Sequence, residues 1–276
     1  MNEFDNVNGF LIEKGEKLFN TGNRSFKYGD GIFETIKVVD NKMLFWDEHY
    51  DRLKQGIKLL KIDKDRFDKK TWKQEIDQLI YKNHYKFAKL RLTVYRESPG
   101  LYTPMANNLG FVIEGVRYDC KDFTYNPEGI SLGVYQDMEK AIDILSNCKT
   151  TSALVYVMAS IYKKEQGLGD MVVLNSLGNV CETSNANIFY INDKDVFTPD
   201  LNQGCVGGVF RAQVLKYCKE HQINIEEKEV TVQELQNADE IFVTNVISGV
   251  QGVANFQGKS KKQDFIKQFQ SFFNEL

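Results

Sequence analysis

Two residues of this chain, Lys149 and Glu182, have side chains suited to chemistry on an organic cofactor. Lys149 stands just before a largely apolar stretch, and Glu182 follows 33 residues later among small polar residues. The amine of a lysine can form an imine with an aldehyde. A buried carboxylate can keep a pyridine nitrogen protonated, so that the ring withdraws electrons from an attached substrate. The pair therefore supplies what an aldehyde-bearing pyridine cofactor requires from a protein.

Neither residue is diagnostic alone, because most lysines and glutamates are solvated surface charges. A lysine that is desolvated next to an apolar helix has a lowered pKa and becomes available as a nucleophile. Glu182 precedes Thr183, Ser184 and Asn185 between two apolar runs. Such a cluster is typical either of a polar site floor built from strand ends or of an exposed strand end.

The sequence offers three candidate ligands for a phosphate group. Arg52 lies at the edge of a helical apolar stripe, where its guanidinium either binds phosphate in a bidentate manner or extends its charge into solvent. Gly207 and Gly208 precede a helix whose first N–H groups can hold an anion, although such glycine pairs also end strands. The turn at Asn245 follows a strand and presents N–H groups from another side.

Composition limits the class of protein. The chain has 276 residues, of which 42% are apolar, so it can build two cores and is not a disordered chain. The 35 Lys+Arg and 38 Asp+Glu leave a net charge of -3 without a long basic block, which favours a small-molecule partner over nucleic acid. The five cysteines lack metal-site spacing, and no apolar leader or membrane span is evident, so we expect a cytoplasmic protein with reduced thiols and no bound metal.

Hydrophobic periodicity predicts two α+β domains. In the first, short apolar runs over 7–45 predict strands, helical spacing from Asp47 and over 67–80 predicts two helices, and alternation over 88–95 predicts another strand. The polar, turn-rich segment 117–127 is predicted to link a domain of residues 1–116 to a domain of residues 128–276.

The second domain is predicted to mix strands and helices. Predicted strands cover 130–135, 171–174, 187–190 and 240–244, and predicted helices cover 153–163, the segment that begins at Gly207-Gly208, and a closing helix with a stripe of phenylalanines. Thr150, Thr151 and Ser152 are candidate caps for the helix over 153–163.

Taken in chain order, these pieces resemble the fold-type IV family of pyridoxal phosphate enzymes, the class-IV aminotransferases. The matching segments are Tyr28-Gly29-Asp30-Gly31-Ile32-Phe33-Glu34-Thr35, His49-x-x-Arg52-Leu53, Lys149 before its helix, Glu182-x-Ser184-x-x-Asn187-x-Phe189, Gly208-Val209-x-Arg211, and Asp239-Glu240-x-Phe242-x-Thr244. They span nearly the whole chain, which is far more specific than any one of them. The resemblance implies an α+β fold with an N-terminal α/β domain, a C-terminal pseudo-barrel, an interdomain cofactor site and, usually, a homodimer.

The resemblance also assigns roles to individual residues. Lys149 should bind pyridoxal 5'-phosphate covalently, and Glu182 should pair with its pyridine nitrogen. Phosphate should be held by Arg52, by the N–H groups of the helix start, and by the turn after the strand; the helix-start and turn residues are Gly208, Val209, Phe210, Asn245 and Val246. Tyr28 and Arg96 should face the substrate, with an exposed strand-end position as the equal alternative for Arg96.

Members of this family are branched-chain aminotransferases, D-amino acid aminotransferases or 4-amino-4-deoxychorismate lyases. Phe33-Glu34-Thr35 and Thr244-Asn245 resemble the lyase pattern, and Leu154 replaces a tyrosine frequent in branched-chain enzymes. Against the lyase, the segment 96–102 lacks the second arginine of the lyase's Arg-Gly-Tyr loop. The identity of the substrate therefore stays open.

The leading hypothesis is 4-amino-4-deoxychorismate lyase, which releases pyruvate and 4-aminobenzoate. Lys149 would act as both base and acid, and Thr35 would assist proton delivery. The main alternative is an amino acid aminotransferase that uses the same residues with a 2-oxo acid acceptor. A second alternative is a non-catalytic pyridoxal phosphate binding protein, which would keep Arg52 and the glycine turn but tolerate loss of Thr35 and Arg96.

Overall fold

A computed structural model describes residues 3–63, 68–118, 123 and 126–273 of the chain. The contacts divide the chain into two compact units, Met1–Lys121 with Cys148–Ser152, and Asp122–Asn147 with Ala153–Leu276. Most of the predicted linker and Phe67 lie outside the described residues. Each unit combines helices with a sheet, which confirms the expected α+β class. No helix in the described ranges is long and apolar enough to cross a membrane.

The described part of the first unit contains six strands and three helices. The strands are β1 (Phe4–Val7), β2 (Phe10–Glu13), β3 (Gly31–Val39), β4 (Lys42–Met43), β5 (Ala88–Arg96) and β6 (Leu109–Arg117), and the helices are α1 (Arg24–Tyr28), α2 (Trp46–Leu59) and α3 (Lys69–Lys82). The strands pair antiparallel in the order β2-β1-β6-β5-β3-β4.

The two faces of this sheet have different roles, because successive side chains of a strand alternate between faces. On β3, Ile32, Ile36 and Val38 join a core formed with the apolar stripes of α2 and α3. Phe33 and Thr35 alternate with these residues and lie on the opposite face. Glu34 shares the core face, where it contacts α2, so polar residues of β3 lie on both sides of the sheet.

The segment Cys148–Ser152 belongs to the first unit by its contacts, although the sequence assigned Lys149 to the C-terminal domain. The N–H of Phe33 donates to the carbonyl of Lys149 (2.8 Å), and the N–H of Thr151 donates to the carbonyl of Gly31 (2.9 Å). These antiparallel bonds attach the backbone of the lysine to the start of β3.

The same segment does not cap the following helix, so that prediction was wrong. The N-cap of the helix is Ala153, which makes no side-chain hydrogen bond there. The hydroxyl of Thr151 instead donates to the carbonyl of Gly29 (2.8 Å). Gly29 has a φ of 66°, and a Cβ built on it would lie 2.3 Å from Oγ of Ser152, so the close approach of this segment requires glycine.

The second unit is built on a larger mixed sheet. Its strands are β7 (Ile130–Lys140), β8 (Asp170–Asn175), β9 (Val180–Thr183), β10 (Asn187–Asn192), β11 (Asp195–Pro199), β12 (Ile225–Lys228), β13 (Glu240–Asn245), β14 (Gly249–Phe256) and β15 (Lys259–Ser260), and its helices are α4 (Leu154–Glu165), α5 (Val209–Glu220), α6 (Val232–Asn237) and α7 (Asp264–Phe273). The order is β12-β11-β10-β13-β14-β7-β8-β9, with β15 paired to β14.

The register of this sheet brings polar residues to the ends of neighbouring strands. The middles of β10 and β13 are apolar, and Ile188, Ile241 and Val243 lie in the core. At the end of the pairing, Asn187 stands directly opposite Thr244. This arrangement is a strand-end cluster of the kind that the sequence suggested.

Candidate active site

The side chain of Lys149 lies over an aromatic ring of the first unit. Its Nζ is 4.7 Å from the centroid of the Phe33 ring, and the guanidinium carbon of Arg91 is 3.6 Å from the same centroid. Cations bind the electron-rich face of an aromatic ring, so Phe33 positions both groups. The recess beside them is lined by Ile32, Phe33, Glu34, Arg52, Leu53, Gly56, Cys148 and Lys149.

Thr35 and Arg91 are neighbours on the same sheet face. The register of β3 and β5 places Thr35 opposite Arg91, and Phe33 opposite Thr93. Burial lowers the pKa of the Arg91 guanidinium, while the charge of Glu114 acts in the opposite direction. A hydroxyl and a partly desolvated cation therefore flank the ring on which the Lys149 amine rests.

Arg52, the predicted phosphate ligand, forms an ion pair with Glu34. Its Nε donates to Oε1 of Glu34 at 2.8 Å, and its Nη2 donates to Oε2 at 2.5 Å. Nδ1 of the buried His49 lies 2.6 Å from the same Oε2. Burial raises the pKa of Glu34, but the charge and hydrogen bonds of Arg52 and those of His49 outweigh it and lower the pKa to about 2. The carboxylate thus orients the guanidinium of Arg52.

Arg96, a predicted substrate residue, is only 8% exposed at the end of β5. Its Nε and Nη2 donate to the carboxylate of Asp30 at 3.0 and 3.3 Å, and Nη2 and Nη1 also donate to the carbonyls of Leu60 (2.6 Å) and Lys61 (3.3 Å). A further bond joins Arg96 to Asn107. The guanidinium is therefore held by the protein itself.

Tyr28, the other predicted substrate residue, ends helix α1. Its ring packs against Tyr102 with centroids 5.4 Å apart, and the guanidinium of Arg24 lies 5.1 Å from its ring centroid. Nε of Arg24 also donates to Asp30 at 2.7 Å. Asp30 therefore fixes two arginines on this side of the first unit.

Glu182 is the centre of a polar cluster in the second unit, where it is 4% exposed on β9. Its Oε1 accepts from the ammonium of Lys140 (2.5 Å) and from the hydroxyl of Tyr156 (2.7 Å). Its Oε2 accepts from the backbone N–H of Val206 (3.0 Å). The predicted carboxylate is thus buried and oriented by three donors.

The charges around Glu182 follow from this burial. Burial lowers the pKa of Lys140, but the carboxylate of Glu182 outweighs it and raises the pKa above its usual value. Burial and the same carboxylate raise the pKa of the Tyr156 phenol far above its usual value. Lys140 is therefore a cation and Tyr156 a neutral donor at physiological pH, so the cluster contains a compensated carboxylate.

Helix α5 begins beside this cluster at Val209. Its N-cap is Gly208, which has no side chain that could cap the first turn. Nδ2 of Asn187 donates to the carbonyl of Val206 (2.9 Å), and a Cβ built on Gly208 would lie 1.8 Å from Oδ1 of Asn187. Glycine is therefore required for this loop to pass so close to β10. Phe210, the second residue of α5, is buried.

The turn between β13 and β14 is organised by Asn245. Its Oδ1 accepts from the N–H groups of Ile247 (3.0 Å) and Ser248 (2.9 Å) and from the hydroxyl of Ser248 (2.9 Å). Val246 between them is 9% exposed. Next to this turn, Oγ1 of Thr244 is buried without a hydrogen-bond partner among the described residues. A buried unpaired hydroxyl is costly, which indicates a place for an acceptor group of a ligand.

Three residues that complete these clusters were missed by sequence reasoning. Lys89, Arg91 and Thr93 alternate with apolar residues, so the sequence indicated that Arg91 lies on the polar face of its strand. It did not indicate that β3 pairs with this strand and places Thr35 opposite Arg91. Lys140 and Tyr156 gave no comparable signal, because a lysine at a strand end and a tyrosine in an apolar helix are common in other roles.

Comparisons with known proteins give the class of this protein. A family model described as amino-transferase class IV matches residues 31–256. The chain is 28% identical over 247 residues to the aminodeoxychorismate lyase of Vibrio harveyi (88% of this chain, 89% of the relative) and 26% identical over 260 residues to the D-alanine aminotransferase of Bacillus licheniformis (92% and 88%). The solved branched-chain aminotransferase of Thermoproteus uzoniensis with norvaline matches with a TM-score of 0.90 at 20% identity, over 99% of this chain and 94% of that one.

The chain belongs to the class-IV aminotransferase family, because the family model covers most of its length. The predicted family, the fold of that family and the dependence on pyridoxal 5'-phosphate are thereby confirmed. The protein is an enzyme whose substrates are small molecules of the amino acid kind. The second alternative of the sequence, a non-catalytic binder, is not supported by these relatives.

The residues of the second unit fit the cofactor. Thr244 has a buried hydroxyl that lacks a partner among the described residues, Gly208 leaves no room for a side chain at the start of α5, and Glu182 is a buried carboxylate with a defined orientation. A hydroxyl and helix-start amides suit phosphate oxygens, and the carboxylate suits a ring nitrogen.

Proposed function

We propose that this enzyme is a 4-amino-4-deoxychorismate lyase that releases pyruvate and 4-aminobenzoate. The observation that supports this choice is the placement of Thr35 on the same face of β3 as Phe33, whose ring carries both Lys149 and Arg91. A lyase needs a base for the amine-bearing carbon, a proton donor for the departing group and a cation for a carboxylate. Lys149, Thr35 and Arg91 are proposed for these three roles.

The cofactor is proposed to be held by the residues that the family resemblance assigns to it. Lys149 binds it covalently, and Glu182 pairs with its ring nitrogen. Its phosphate is bound by Arg52, by the first-turn N–H groups of α5 and by the turn after β13; the helix-start and turn residues are Gly208, Val209, Phe210, Asn245 and Val246. When bound, pyridoxal phosphate supplies an electron-withdrawing ring for the carbon that carries the substrate amine.

The protein residues around the substrate are proposed to move protons and bind carboxylate. The Nζ of Lys149 removes the proton from the amine-bearing carbon and later returns one, so it acts as base and then as acid. The hydroxyl of Thr35 orients or relays the proton that accompanies loss of pyruvate. Tyr28 is proposed to face the substrate.

Arg91, rather than Arg96, is proposed to bind a substrate carboxylate. All three guanidinium nitrogens of Arg96 donate to acceptors of the protein, among them Asp30. Arg91 is half-buried, faces the same side as Thr35, and makes a hydrogen bond of 3.3 Å from Nε to Thr93. A desolvated guanidinium binds carboxylate in a bidentate manner more strongly than an exposed one. This assignment supplies one of the two cations that a dicarboxylate substrate calls for.

An aminotransferase is the second candidate function. It is favoured by the 26% identity to the D-alanine aminotransferase of Bacillus licheniformis, which is nearly as high as the 28% identity to the aminodeoxychorismate lyase of Vibrio harveyi. It is also favoured by the loop after Arg96, which contains no second arginine for the other carboxylate of a chorismate-type substrate. In this reaction Lys149 would move the proton between two carbons, and a 2-oxo acid would accept the amine in a second half-reaction.

One set of incubations distinguishes the two functions. The purified enzyme with bound cofactor is mixed with aminodeoxychorismate, and separately with D-alanine or L-leucine plus 2-oxoglutarate. Formation of pyruvate and 4-aminobenzoate in equal amounts supports the lyase. Formation of glutamate without 4-aminobenzoate rejects it in favour of the aminotransferase.

The role of Lys149 has its own test in the same enzyme. Borohydride reduction followed by peptide mapping should place the reduced cofactor on position 149, and Lys149→Ala should lose both the label and turnover. Lys163→Ala is a control, since Lys163 is another lysine near a buried carboxylate, 3.8 Å from Asp170. A label on any residue other than Lys149 would refute the assignment.

We further propose that the chain forms a homodimer in the cytoplasm. Helix α4 exposes four apolar side chains at helical spacing, namely Leu154, Val157, Met158 and Ile161. Contiguous exposed apolar stripes of this kind are typical of protein interfaces. Light scattering on the purified protein should give twice the chain mass, and Leu154→Glu with Val157→Glu should give the monomer mass. Among the described residues, Cys148, Cys181, Cys205 and Cys218 form no disulfide bond.

A further inference from the structure

The oxygens of Glu182 are not equivalent. Oε1 accepts two hydrogen bonds, from Lys140 (2.5 Å) and Tyr156 (2.7 Å), whereas Oε2 accepts one, from the N–H of Val206 (3.0 Å). A carboxylate offers about two acceptor sites on each oxygen. Among the described residues, the acceptor site left open is therefore on Oε2, and Lys140 and Tyr156 fix which oxygen it is.

The ammonium of Lys140 also compensates the charge of Glu182. The two side chains are 10% and 5% exposed, so solvent screens their attraction only weakly. The ammonium lies 5.5 Å from the centroid of the Tyr156 ring, so the phenol is fixed by both partners. A second cation that approaches Oε2 would be attracted less strongly, because the ammonium of Lys140 already compensates the charge of the carboxylate.

The other titratable groups near this cluster are neutral or paired. Cys181 and Cys205 both interact electrostatically with Glu182, and burial raises the pKa of Cys205 to about 12 and that of Cys181 further. Arg211, which acts on Cys205, is paired with Glu227 at 2.5 Å. The ammonium of Lys140 is therefore the charge that offsets Glu182 within the described cluster.

We propose that Lys140 and Tyr156 are positioning residues that orient Oε2 of Glu182 toward a heterocyclic nitrogen of the ligand. They also weaken the hydrogen bond that Glu182 accepts from the protonated form of that nitrogen. The inference rests on the proposed pairing of Glu182 with the cofactor ring. Lys140 and a protonated ring nitrogen are like charges on one carboxylate, so they repel each other. Removal of Lys140 should therefore strengthen the interaction between Glu182 and the ring nitrogen, and removal of the Tyr156 hydroxyl should do so to a smaller extent.

The test compares two ligands of the cofactor-free protein, pyridoxal phosphate and its 1-deaza analogue, in which carbon replaces the ring nitrogen. The ratio of their dissociation constants measures the interaction of the protein with that nitrogen. Lys140→Met should increase the preference for pyridoxal phosphate about tenfold, since one pKa unit of proton affinity corresponds to a tenfold change. Tyr156→Phe should shift it in the same direction but less. Lys140→Arg, which keeps the cation, should restore the original ratio.

Controls separate this inference from the proposed role of Glu182. Lys163→Met removes a lysine that contacts Asp170 instead of Glu182, so it should leave the ratio unchanged. Glu182→Gln should abolish most of the preference, and if it does not, the pairing itself is wrong. If Glu182→Gln abolishes the preference but Lys140→Met lowers it or leaves it unchanged, the positioning role is overturned. If Lys140→Met fails to fold, the 15N chemical shift of ring-labelled cofactor in the Tyr156→Phe enzyme replaces it. A change toward the value of the protonated ring nitrogen is expected, and an unchanged chemical shift would overturn the inference.

Discussion

Arg52 and Glu34 form a two-point ion pair in which both carboxylate oxygens of a residue that is 1% exposed accept from one guanidinium. This ion pair predicts how the stability of the protein depends on pH. The pKa of Glu34 falls from 4.5 to about 2 on folding, despite burial, because Arg52 and His49 favour the charged form. Its contribution to stability is therefore complete above about pH 4.5 and is lost as the pH falls toward about 2.

The size of this effect is measurable by denaturant unfolding. Between about pH 6 and about pH 3.5, the unmodified protein should lose about 1.4 kcal/mol more of its unfolding free energy than Glu34→Gln, which cannot titrate. At neutral pH the variant should be the less stable of the two, because Arg52 and His49 lose a buried partner. Equal losses in the two proteins would refute the assignment of a charged Glu34.

Arg52→Ala should weaken binding of pyridoxal phosphate while the fold persists. A charge-assisted hydrogen bond contributes about 1.5 to 3 kcal/mol, so the dissociation constant should rise by about ten- to a hundredfold. Lys58→Ala on the same helix removes an exposed cation and serves as the control. Dissociation constants from cofactor fluorescence test this, and unchanged affinity in Arg52→Ala would exclude Arg52 as a phosphate ligand.

Gly208→Ala should disturb the start of α5. The new Cβ would lie 1.8 Å from Oδ1 of Asn187, so either the loop or Asn187 must move, at a cost of about 1 to 3 kcal/mol. Gly207→Ala is a matched control, since a Cβ there would meet its nearest atom at 3.8 Å. Thermal midpoints and cofactor affinity should fall for the first variant only; equal effects in both would argue against a special requirement at Gly208.

Arg91 and Arg96 should differ in how their loss affects the enzyme. Arg91→Gln should raise KM for carboxylate substrates about tenfold or more with little change in the thermal midpoint, since the proposed bidentate contact with the substrate carboxylate would be lost. Arg96→Gln should lower the midpoint by several degrees, since Asp30 and two carbonyls lose a buried partner. Steady-state kinetics and calorimetry measure both; a reversed pattern would return the substrate role to Arg96.

Much of the architecture was predictable because it depends on local periodicity. The predicted helix over 153–163 is α4, and the predicted strands at 187–190 and 240–244 are β10 and β13. Lys149 and Glu182 could be proposed as site residues because their neighbours in the sequence form recognisable motifs. Periodicity and short motifs are both encoded by residues that lie close together in the sequence.

The remaining features depend on register and on packing between distant segments. The attachment of Lys149 to β3 and the pairing of Thr35 with Arg91 both require strand partners far away in sequence. Lys140 and Tyr156 meet Glu182 from separations of 42 and 26 residues, and no local pattern encodes such a contact. The resemblance assigned Arg96 to the substrate, whereas its ion pair with Asp30, 66 residues away, has no local signal in the sequence.

The attachment of Cys148–Ser152 to β3 has a consequence for engineering by recombination. Lys149 is encoded in the second half of the chain, but its backbone is hydrogen-bonded to a strand from the first half. A chimera that exchanges everything after residue 128 would therefore pair a foreign lysine segment with the resident β3. Chimeras that take residues 148–152 and the N-terminal domain from the same parent should keep the native hydrogen bonds between this segment and β3. More of them should be active than of chimeras whose only crossover lies in the linker.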